Sequence, residues 1–368
     1  MKTKLLLIAT AVSFSLNAQN LVDTTKAENK NVLLEEYTGR NCGFCPDGHK
    51  IANDIKVANP NDVILIRVHT GGYAPTSHPN LNTDFGQNLV NQIYDQNAGV
   101  GFPTGTVNRH VFSGNFMELN RGFWLSASNS VLAEKAVLNI GMNAVVDTAT
   151  RKLFVEVELF YNEDQDVDFN RLNVAVLQDD IIGSQSGASM FNPADGTDAE
   201  YKHKHILRHL PTGQWGEKID SISVGTFVYK QVFYNLPDDI QNVDLKIEDL
   251  DIAVFVTEDR KEVLNATHMK PKMGSATSIT EPTTSIESID IYPNPTIDKI
   301  NVEFEVRKVS NINFKLYNLL GQNVLSHQKM FSAGHSKQQI DVSGFVSGIY
   351  FLELQNGDHS TTHKIIVE

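Results

Sequence analysis

A chain of 368 residues is long enough for two or three domains, and its 41% hydrophobic and 20% charged residues are typical of a folded soluble protein. The net charge of -13 argues against nucleic-acid binding, because proteins that bind nucleic acids need basic surfaces for the phosphate backbone. The same charge suits a secreted protein that self-repulsion keeps soluble.

The N-terminus has the pattern of a secretory signal peptide. Lys2 and Lys4 precede an apolar run over residues 5–16, and a small residue, Ala18, follows it. The run is shorter than the ~20 residues that a membrane-spanning helix needs, and no later segment qualifies. We therefore expect cleavage after residue 18, an exported protein without a transmembrane span, and a loose polar segment over residues 19–30.

The only two cysteines of the chain follow an apolar strand predicted over residues 32–38. Cys42 and Cys45 stand at the predicted start of a helix, where unpaired backbone N–H groups and the helix dipole favour a thiolate. Such a setting lowers a cysteine pKa from ~8.5 into the range ~3.5–7.5. We expect Cys42 to be the exposed nucleophile and Cys45 the resolving partner.

Two other roles compete with redox chemistry for this cysteine pair. As a structural bridge it would close a four-residue loop, which stabilises by ~2 kcal/mol against ~4.7 kcal/mol for a loop of about 100 residues. As half of a zinc site, Cys42, Cys45 and His49 would still lack a fourth ligand, and no second cysteine pair exists. A redox role is therefore favoured over both.

The segment after the cysteines predicts a helix ending at residues 59–60, a buried strand over 63–68, a further helix around 85–93, a short strand pair and a helix over 123–135. Pro103 stands directly before a predicted strand, where proline is unusual because it lacks a ladder donor. A cis Phe102–Pro103 bond and an ordinary trans edge proline are both compatible with this position.

Two motifs in this part of the chain resemble those of thioredoxins. The Cys-Gly-Phe-Cys sequence at 42–45 is similar to the family's active-site motif, and Gly-Phe-Pro-Thr at 101–104 is similar to its cis-proline segment. The resemblance implies a thioredoxin-like α/β domain over residues 31–136, with Pro103 shaping the groove for a substrate chain. Phe44 replaces the proline usual in the motif, and Asn41 replaces the tryptophan usual before it.

The resemblance also gives a role to Glu36, six residues before Cys42. Thioredoxins carry a buried carboxylate there that helps to move the proton of the resolving cysteine. If the strand is central, burial would raise the pKa of Glu36. A carboxylate that faces water at a strand end is the alternative, and both interpretations remain open.

From residue 137 the pattern changes to alternating strands separated by polar turns, which predicts an antiparallel sandwich over 137–269. Predicted strands cover residues 137–146, 152–161, 172–179, 225–234 and 252–258. This region resembles the central part of the outer-membrane-protein-28-related family, whose members are secreted proteins with a thioredoxin-like front half. In the same region His203, His205 and His209 are weak candidates for metal ligands, but a polar loop or surface strand is favoured and no metal is predicted.

Residues 270–287 are rich in Ser, Thr, Pro and Gly and predict a linker. The strand pattern of residues 288–368 predicts a small β-sandwich. Four motifs of this segment, at 292–295, 316–324, 348–352 and 364–367, resemble in order those of a type A sorting domain of the type IX secretion system. The resemblance implies that the type IX machinery carries the protein across the outer membrane and that the domain is then removed.

These observations predict a thioredoxin-like α/β domain followed by two all-β sandwich domains. The preferred function is a secreted or cell-surface thiol-disulfide oxidoreductase, with Cys42, Cys45, Glu36 and Pro103 as site residues and exported proteins with disulfides as substrates. No cofactor is predicted apart from the cysteine pair itself. The alternative is a non-catalytic surface protein that uses the same domains as a binding scaffold.

Overall fold

The computed structural model describes residues 21–83, 85–93, 101–274, 286–306, 310–318, 322–332, 334–356 and 359–368. It consists mostly of β-strands with few helices, and the chain divides into two compact units, Met1–Ala276 and Thr277–Glu368. The predicted signal peptide and most of the predicted linker lie outside the described residues.

The helices of the first unit are α1 (Cys45–Ala58), α2 (Gly86–Ile93), α3 (Trp124–Leu132) and the short α4 (Ala188–Phe191). Its strands are β1 (Val32–Thr38), β2 (Val63–His69), β3 (Thr104–Val107), β4 (Glu118–Asn120), β5 (Leu138–Asp147), β6 (Lys152–Tyr161), β7 (Asn170–Gln178), β8 (Ile181–Gly183), β9 (Tyr201–His203), β10 (Ile206–His209), β11 (Glu217–Ile219), β12 (Phe227–Asn235), β13 (Asp239–Ile240), β14 (Val243–Asp244), β15 (Leu250–Thr257), β16 (Val263–Met269) and β17 (Lys272–Gly274).

One large sheet crosses the domain boundary that the sequence predicts at residue 136. Its strand order is β16-β15-β7-β10-β2-β1-β3-β4, with β11 also paired to β7. Strands β1 and β2 are parallel, β3 is antiparallel to β1, and Ile206 of β10 pairs with Arg67 of β2. The expected separate sandwich over 137–269 is therefore corrected, because five of its strands, β7, β10, β11, β15 and β16, extend the sheet that β1 begins.

Strands β5, β6 and β12 of this region form a second sheet with β17, in the order β12-β6-β5-β17, while β8-β9 and β13-β14 form two small two-stranded sheets. The apolar face of the second sheet packs on β7 and β15 through side chains such as Val155 and Val174. The opposite face of β7 and β15 contributes Leu177 and Phe255 to a core shared with Leu33 of β1. Both faces of these central strands are buried, which explains why their sequences are almost continuously apolar.

Helices α1 and α3 cover the other side of β1 and β2. Ala52 and Ile55 of α1 lie one turn apart on its inner face, and they share a core with Trp124 of α3 and Leu34 of β1. This packing holds the N-terminal turn of α1, and with it the cysteine pair, beside the sheet.

The second unit contains strands β18 (Ile286–Tyr292), β19 (Lys299–Val306), β20 (Ser310–Asn318), β21 (Asn323–Phe331), β22 (Gly334–Asp341), β23 (Gly348–Asn356) and β24 (His359–Val367). They form two sheets, β18-β19-β22 and β21-β20-β23-β24. Phe304, Phe314 and Phe331 meet in the core that the two sheets share. The small β-sandwich that the strand pattern predicts here is observed.

Candidate redox site

The two cysteines form a disulfide at the N-terminus of α1. Helix α1 begins at Cys45, the Cα atoms of Cys42 and Cys45 are 5.4 Å apart, and the Cys45 N–H donates to the Cys42 carbonyl at 3.2 Å. Pro46 is tolerated in the first turn because its missing N–H would have no partner within the helix. The disulfide therefore lies at the end of the helix that favours a thiolate.

The expectation that Cys42 is exposed is wrong. Only 3% of Cys42 is accessible, and Cys45 is fully buried. Phe44, between them, is the exposed residue of the motif at 57%. The covering atoms come from two loops that are distant in the sequence, and pattern analysis of the motif alone does not detect them.

One covering loop is the segment Ser184–Phe191, which we call the strap. It connects β8 to the region before β9 and ends in α4. The side chain of Gln185 is buried beneath it and donates to the carbonyl oxygens of Gly39 and Cys42, at 3.3 and 3.1 Å. The strap thus contacts the loop that carries the first cysteine.

The other covering loop comes from the segment after β2. The Asn41 N–H donates to the Tyr73 carbonyl at 2.9 Å. A Cβ atom at Gly39 would overlap the same Tyr73 peptide group, so only glycine allows this close approach of the two backbones. The cysteine loop is therefore held between two loops.

Glu36 lies in the middle of β1 and is 1% exposed, which excludes the alternative of a water-facing carboxylate. The Arg67 Nε donates to its Oε2 at 2.9 Å, while Oε1 has no hydrogen-bond partner among the described residues and lies 3.7 Å from His49 Nε2. Burial raises the pKa of Glu36 to about 7, although the Arg67 charge opposes that rise.

Pro103 and Glu36 meet α1 at Gly48, one turn after Cys45. The Phe102–Pro103 bond is cis. A Cβ atom on Gly48 would lie 2.8 Å from Glu36 Oε1 and 2.9 Å from the Pro103 ring. The structure therefore brings Glu36 and Pro103 together against Gly48, one turn after Cys45.

Three further residues belong to this site, and the sequence pattern points to only one of them, His49, as a ligand of the disfavoured zinc site. Arg67 pairs with Glu36 and also donates to the His49 carbonyl at 2.9 Å. His49 lies between Thr38 Oγ1, at 2.9 Å, and the Tyr201 hydroxyl, at 3.0 Å. A cation within the apolar strand β2 and a histidine four residues after Cys45 were the available signals. Tyr201 gave none, because it is about 150 residues away in the sequence.

The candidate metal ligands do not form one group. His203 is buried beside His69, with ring centroids 5.5 Å apart, and burial lowers its pKa to about 3. His205 lies 3.3 Å from Asp179, whereas His209 stacks on Tyr234. Strand β9 ends at His203 and β10 begins after His205, so no single extended strand presents both. Within the described ranges, no cluster of three or more His, Cys, Asp or Glu residues could hold a metal ion.

Two family models match the chain. The model of the outer membrane protein Omp28 matches residues 90–275, just over half of the sequence. The model of the secretion system C-terminal sorting domain matches residues 290–368, almost the whole segment that resembles a type IX sorting domain. A search of the curated proteins found no sequence match.

Two solved structures of proteins from Porphyromonas gingivalis match this chain. HBP35 of Porphyromonas gingivalis is 19% identical, with a TM-score of 0.54 over 93% of this chain and all of that one, which indicates a similar fold. A domain of the outer membrane lipoprotein Omp28 from the same organism is 20% identical, with a TM-score of 0.26 over 38% of this chain and 92% of that one. None of the helices in the described segments is long and apolar enough to span a membrane.

Proposed function

The chain belongs to the outer membrane protein Omp28 family, and on this premise we propose that it is a surface thiol-disulfide oxidoreductase that acts on disulfides of exported proteins. Its family and its type IX sorting domain indicate export to the cell surface by the type IX secretion system. The proposal adds a chemical activity to that location.

The first part of the proposal is that residues 31–136 are a thioredoxin-like domain. Its support is the strand order β2-β1-β3-β4, with β1 parallel to β2 and antiparallel to β3. Helices α1 and α3 pack together on one face of these strands. The cysteine pair stands at the start of the helix that follows β1, the position at which the thioredoxin resemblance expects it.

The second part is the chemistry. In the reduced protein, the Cys42 thiolate attacks one sulfur of a substrate disulfide, and the other substrate sulfur leaves as a thiolate. Cys45 then attacks the Cys42 sulfur, which closes the Cys42–Cys45 disulfide and releases the second substrate thiolate. Two electrons pass to the substrate, and a dithiol must reduce the pair again. Glu36 accepts the proton that Cys45 loses.

The observation that carries this proposal is the unpaired, buried oxygen of Glu36 next to the first turns of α1. A carboxyl group whose pKa is about 7 can both accept and return a proton near neutral pH, which suits a general acid–base. A disulfide with only a bridging role would not need a buried ionisable group at this place.

The test is reduction of a model disulfide protein by the mature protein with dithiothreitol as the electron donor. We expect turnover that Cys42→Ser abolishes, and a mixed disulfide that accumulates on Cys42 in Cys45→Ser. Glu36→Gln should slow the second step and flatten its dependence on pH around 7. A turnover no greater than that of the variant lacking both cysteines would refute the proposal.

The burial of Cys42 favours a second candidate, a non-catalytic surface protein whose disulfide stays closed. In that case the β-rich unit is a scaffold for binding a partner. Redox titration separates the two, because structural disulfides of secreted proteins have reduction potentials below about −300 mV.

A further inference from the structure

The strap occupies the backbone acceptors that surround the first cysteine. Its Ser186 N–H donates to the Arg40 carbonyl at 2.9 Å, and the buried Gln185 side chain donates to the carbonyls of Gly39 and Cys42. A polypeptide that approaches the disulfide from this side would have to replace these contacts.

The strap also makes direct contact with the residues between the two cysteines. Gly187 has a left-handed backbone with φ of 78°, and a Cβ atom there would overlap the Gly43 carbonyl oxygen. At the end of the strap, the Phe191 ring lies 5.4 Å from the Phe44 ring. The strap therefore contacts Gly43 and Phe44 as well as the loop that carries Cys42.

Several hydrogen bonds hold the strap in place. The guanidinium of Arg40 donates to Ser184 Oγ at 2.7 Å and to the Ser77 carbonyl at 2.6 Å. Asp198, which follows the strap in the sequence, accepts from the Ser189 N–H of the strap at 2.7 Å and so ties the short helix to the chain that returns towards β9. Hydrogen bonds of this kind contribute modestly to stability, because water replaces them when a segment opens. The strap can therefore open without unfolding the sheet beneath it.

Thiol exchange requires a sulfur to approach the disulfide along the S–S axis, and a Cys42 that is 3% exposed does not allow that approach. We propose that the strap controls access to the Cys42–Cys45 disulfide, so that exchange proceeds only through a strap-open state and large dithiols react more slowly than small ones. The catalytic meaning of this control rests on the proposed function, but the control itself is measurable on the protein's own disulfide.

In the step to be measured, the added dithiothreitol supplies the electrons that reduce the Cys42–Cys45 disulfide. One thiolate of dithiothreitol attacks the Cys42 sulfur, and Cys45 leaves as a thiolate that takes up a proton. The second thiolate of dithiothreitol then attacks the dithiothreitol sulfur of the mixed disulfide, and Cys42 leaves as a thiolate. The protein gains two electrons and two protons, and dithiothreitol becomes its cyclic disulfide.

The experiment follows this reduction in the full-length mature protein by quenching with an alkylating agent and mass spectrometry. We expect reduction by dithiothreitol to be at least about tenfold slower in native buffer than in guanidinium, as for a group protected by local closure. Gln185→Ala, which removes the buried side-chain donors of the strap, should accelerate it about fivefold to tenfold. Phe191→Ala should also accelerate it, and provides a second strap variant if Gln185→Ala does not fold.

Two variants are the controls. Met190 lies on the same short helix and is 78% exposed, so Met190→Ala should leave the rate of reduction unchanged. Val232→Ala opens a cavity in the core of the β12-β6-β5-β17 sheet and weakens the unit away from the strap. Its rate should also stay close to wild type. With reduced thioredoxin as the reductant, the acceleration in the strap variants should exceed that seen with dithiothreitol.

Equal rates in native buffer and guanidinium would overturn the proposal, and so would strap variants that react as slowly as wild type. An acceleration in Val232→Ala equal to that in Gln185→Ala would show that the disulfide is reached by global unfolding, which also overturns it. These results are independent of turnover. If the strap variants are reduced faster but the protein turns over no substrate, the control of access by the strap is supported and the oxidoreductase function is refuted.

Discussion

Replacement of Glu36 by Gln should remove a pH dependence from the stability of the first unit. Burial raises the pKa of Glu36 to about 7 from its ordinary value of 4.5. The folded protein therefore holds this proton at a pH where the unfolded chain has already lost it. Stability from this group is fully present below pH 4.5 and is lost as the pH rises through 7.

The magnitude follows from the two pKa values. Each pKa unit corresponds to about 1.36 kcal/mol, so at pH 8 the ionised Glu36 destabilises the fold by about 3 kcal/mol relative to its protonated form in strong acid. At pH 5 the same effect is below about 1 kcal/mol. The free energy of unfolding of the wild type minus that of Glu36→Gln should therefore fall by about 2.5 kcal/mol between pH 5 and pH 8.

Two neighbours face this carboxyl group, and neither replaces it as the source of that change. The attraction between the Arg67 charge and the ionised carboxylate is already contained in the pKa of about 7, so it is part of the predicted change. Burial lowers the pKa of His49 well below 6.5, and the same histidine is present in both proteins, so its contribution cancels in their difference.

Urea unfolding monitored by tryptophan fluorescence provides the assay. The chain has two tryptophans, Trp124 and Trp215, and both belong to the first unit, so the signal reports that unit alone. Curves for wild type and Glu36→Gln at pH 5, 6, 7 and 8, with the disulfide intact, give the required difference. A difference that is constant over this range, or that grows in favour of the wild type, would refute the assignment of a raised pKa to Glu36.

Three other changes test the fold around the site and the sorting domain. Gly48→Val should destabilise the first unit by about 1–3 kcal/mol in the same urea assay, because its Cβ would press on Glu36 and Pro103. Trp124→Ala empties a fully buried site and should lower the free energy of unfolding by about 3–5 kcal/mol, measured by calorimetry. As its control, Val57→Ala at an exposed position should change stability by less than about 0.5 kcal/mol. Deletion of residues 277–368 should leave a folded first unit by circular dichroism that cell fractionation no longer finds at the surface.

The features that were predicted from sequence depend on local pattern. Neighbouring residues in the sequence are enough to predict the apolar strands β1 and β2, the helix start at Cys45 and the strands of the sorting domain. The motifs that place the sorting domain are also short and contiguous. For such features, the periodicity of apolar residues and the position of proline contain most of the required information.

The features that were missed depend on pairing between distant residues. The buried loop of Cys42 is contacted by Gln185, which donates to the Cys42 carbonyl, and the sheet crosses the predicted domain boundary because Ile206 pairs with Arg67. The burial of Glu36 could not be settled from β1 alone, since Glu35 and Glu36 alternate on opposite faces and both are buried against arginines. Only the register of the neighbouring strands supplies those partners.

The reduction potential of the Cys42–Cys45 pair tests the central claim most directly. Equilibration of the full-length mature protein with glutathione or dithiothreitol buffers of graded composition, followed by alkylation and mass spectrometry, gives this value. The account predicts a potential above about −300 mV, within the range of proteins that exchange thiols. A potential below about −300 mV would contradict it and would identify the pair as a structural bridge.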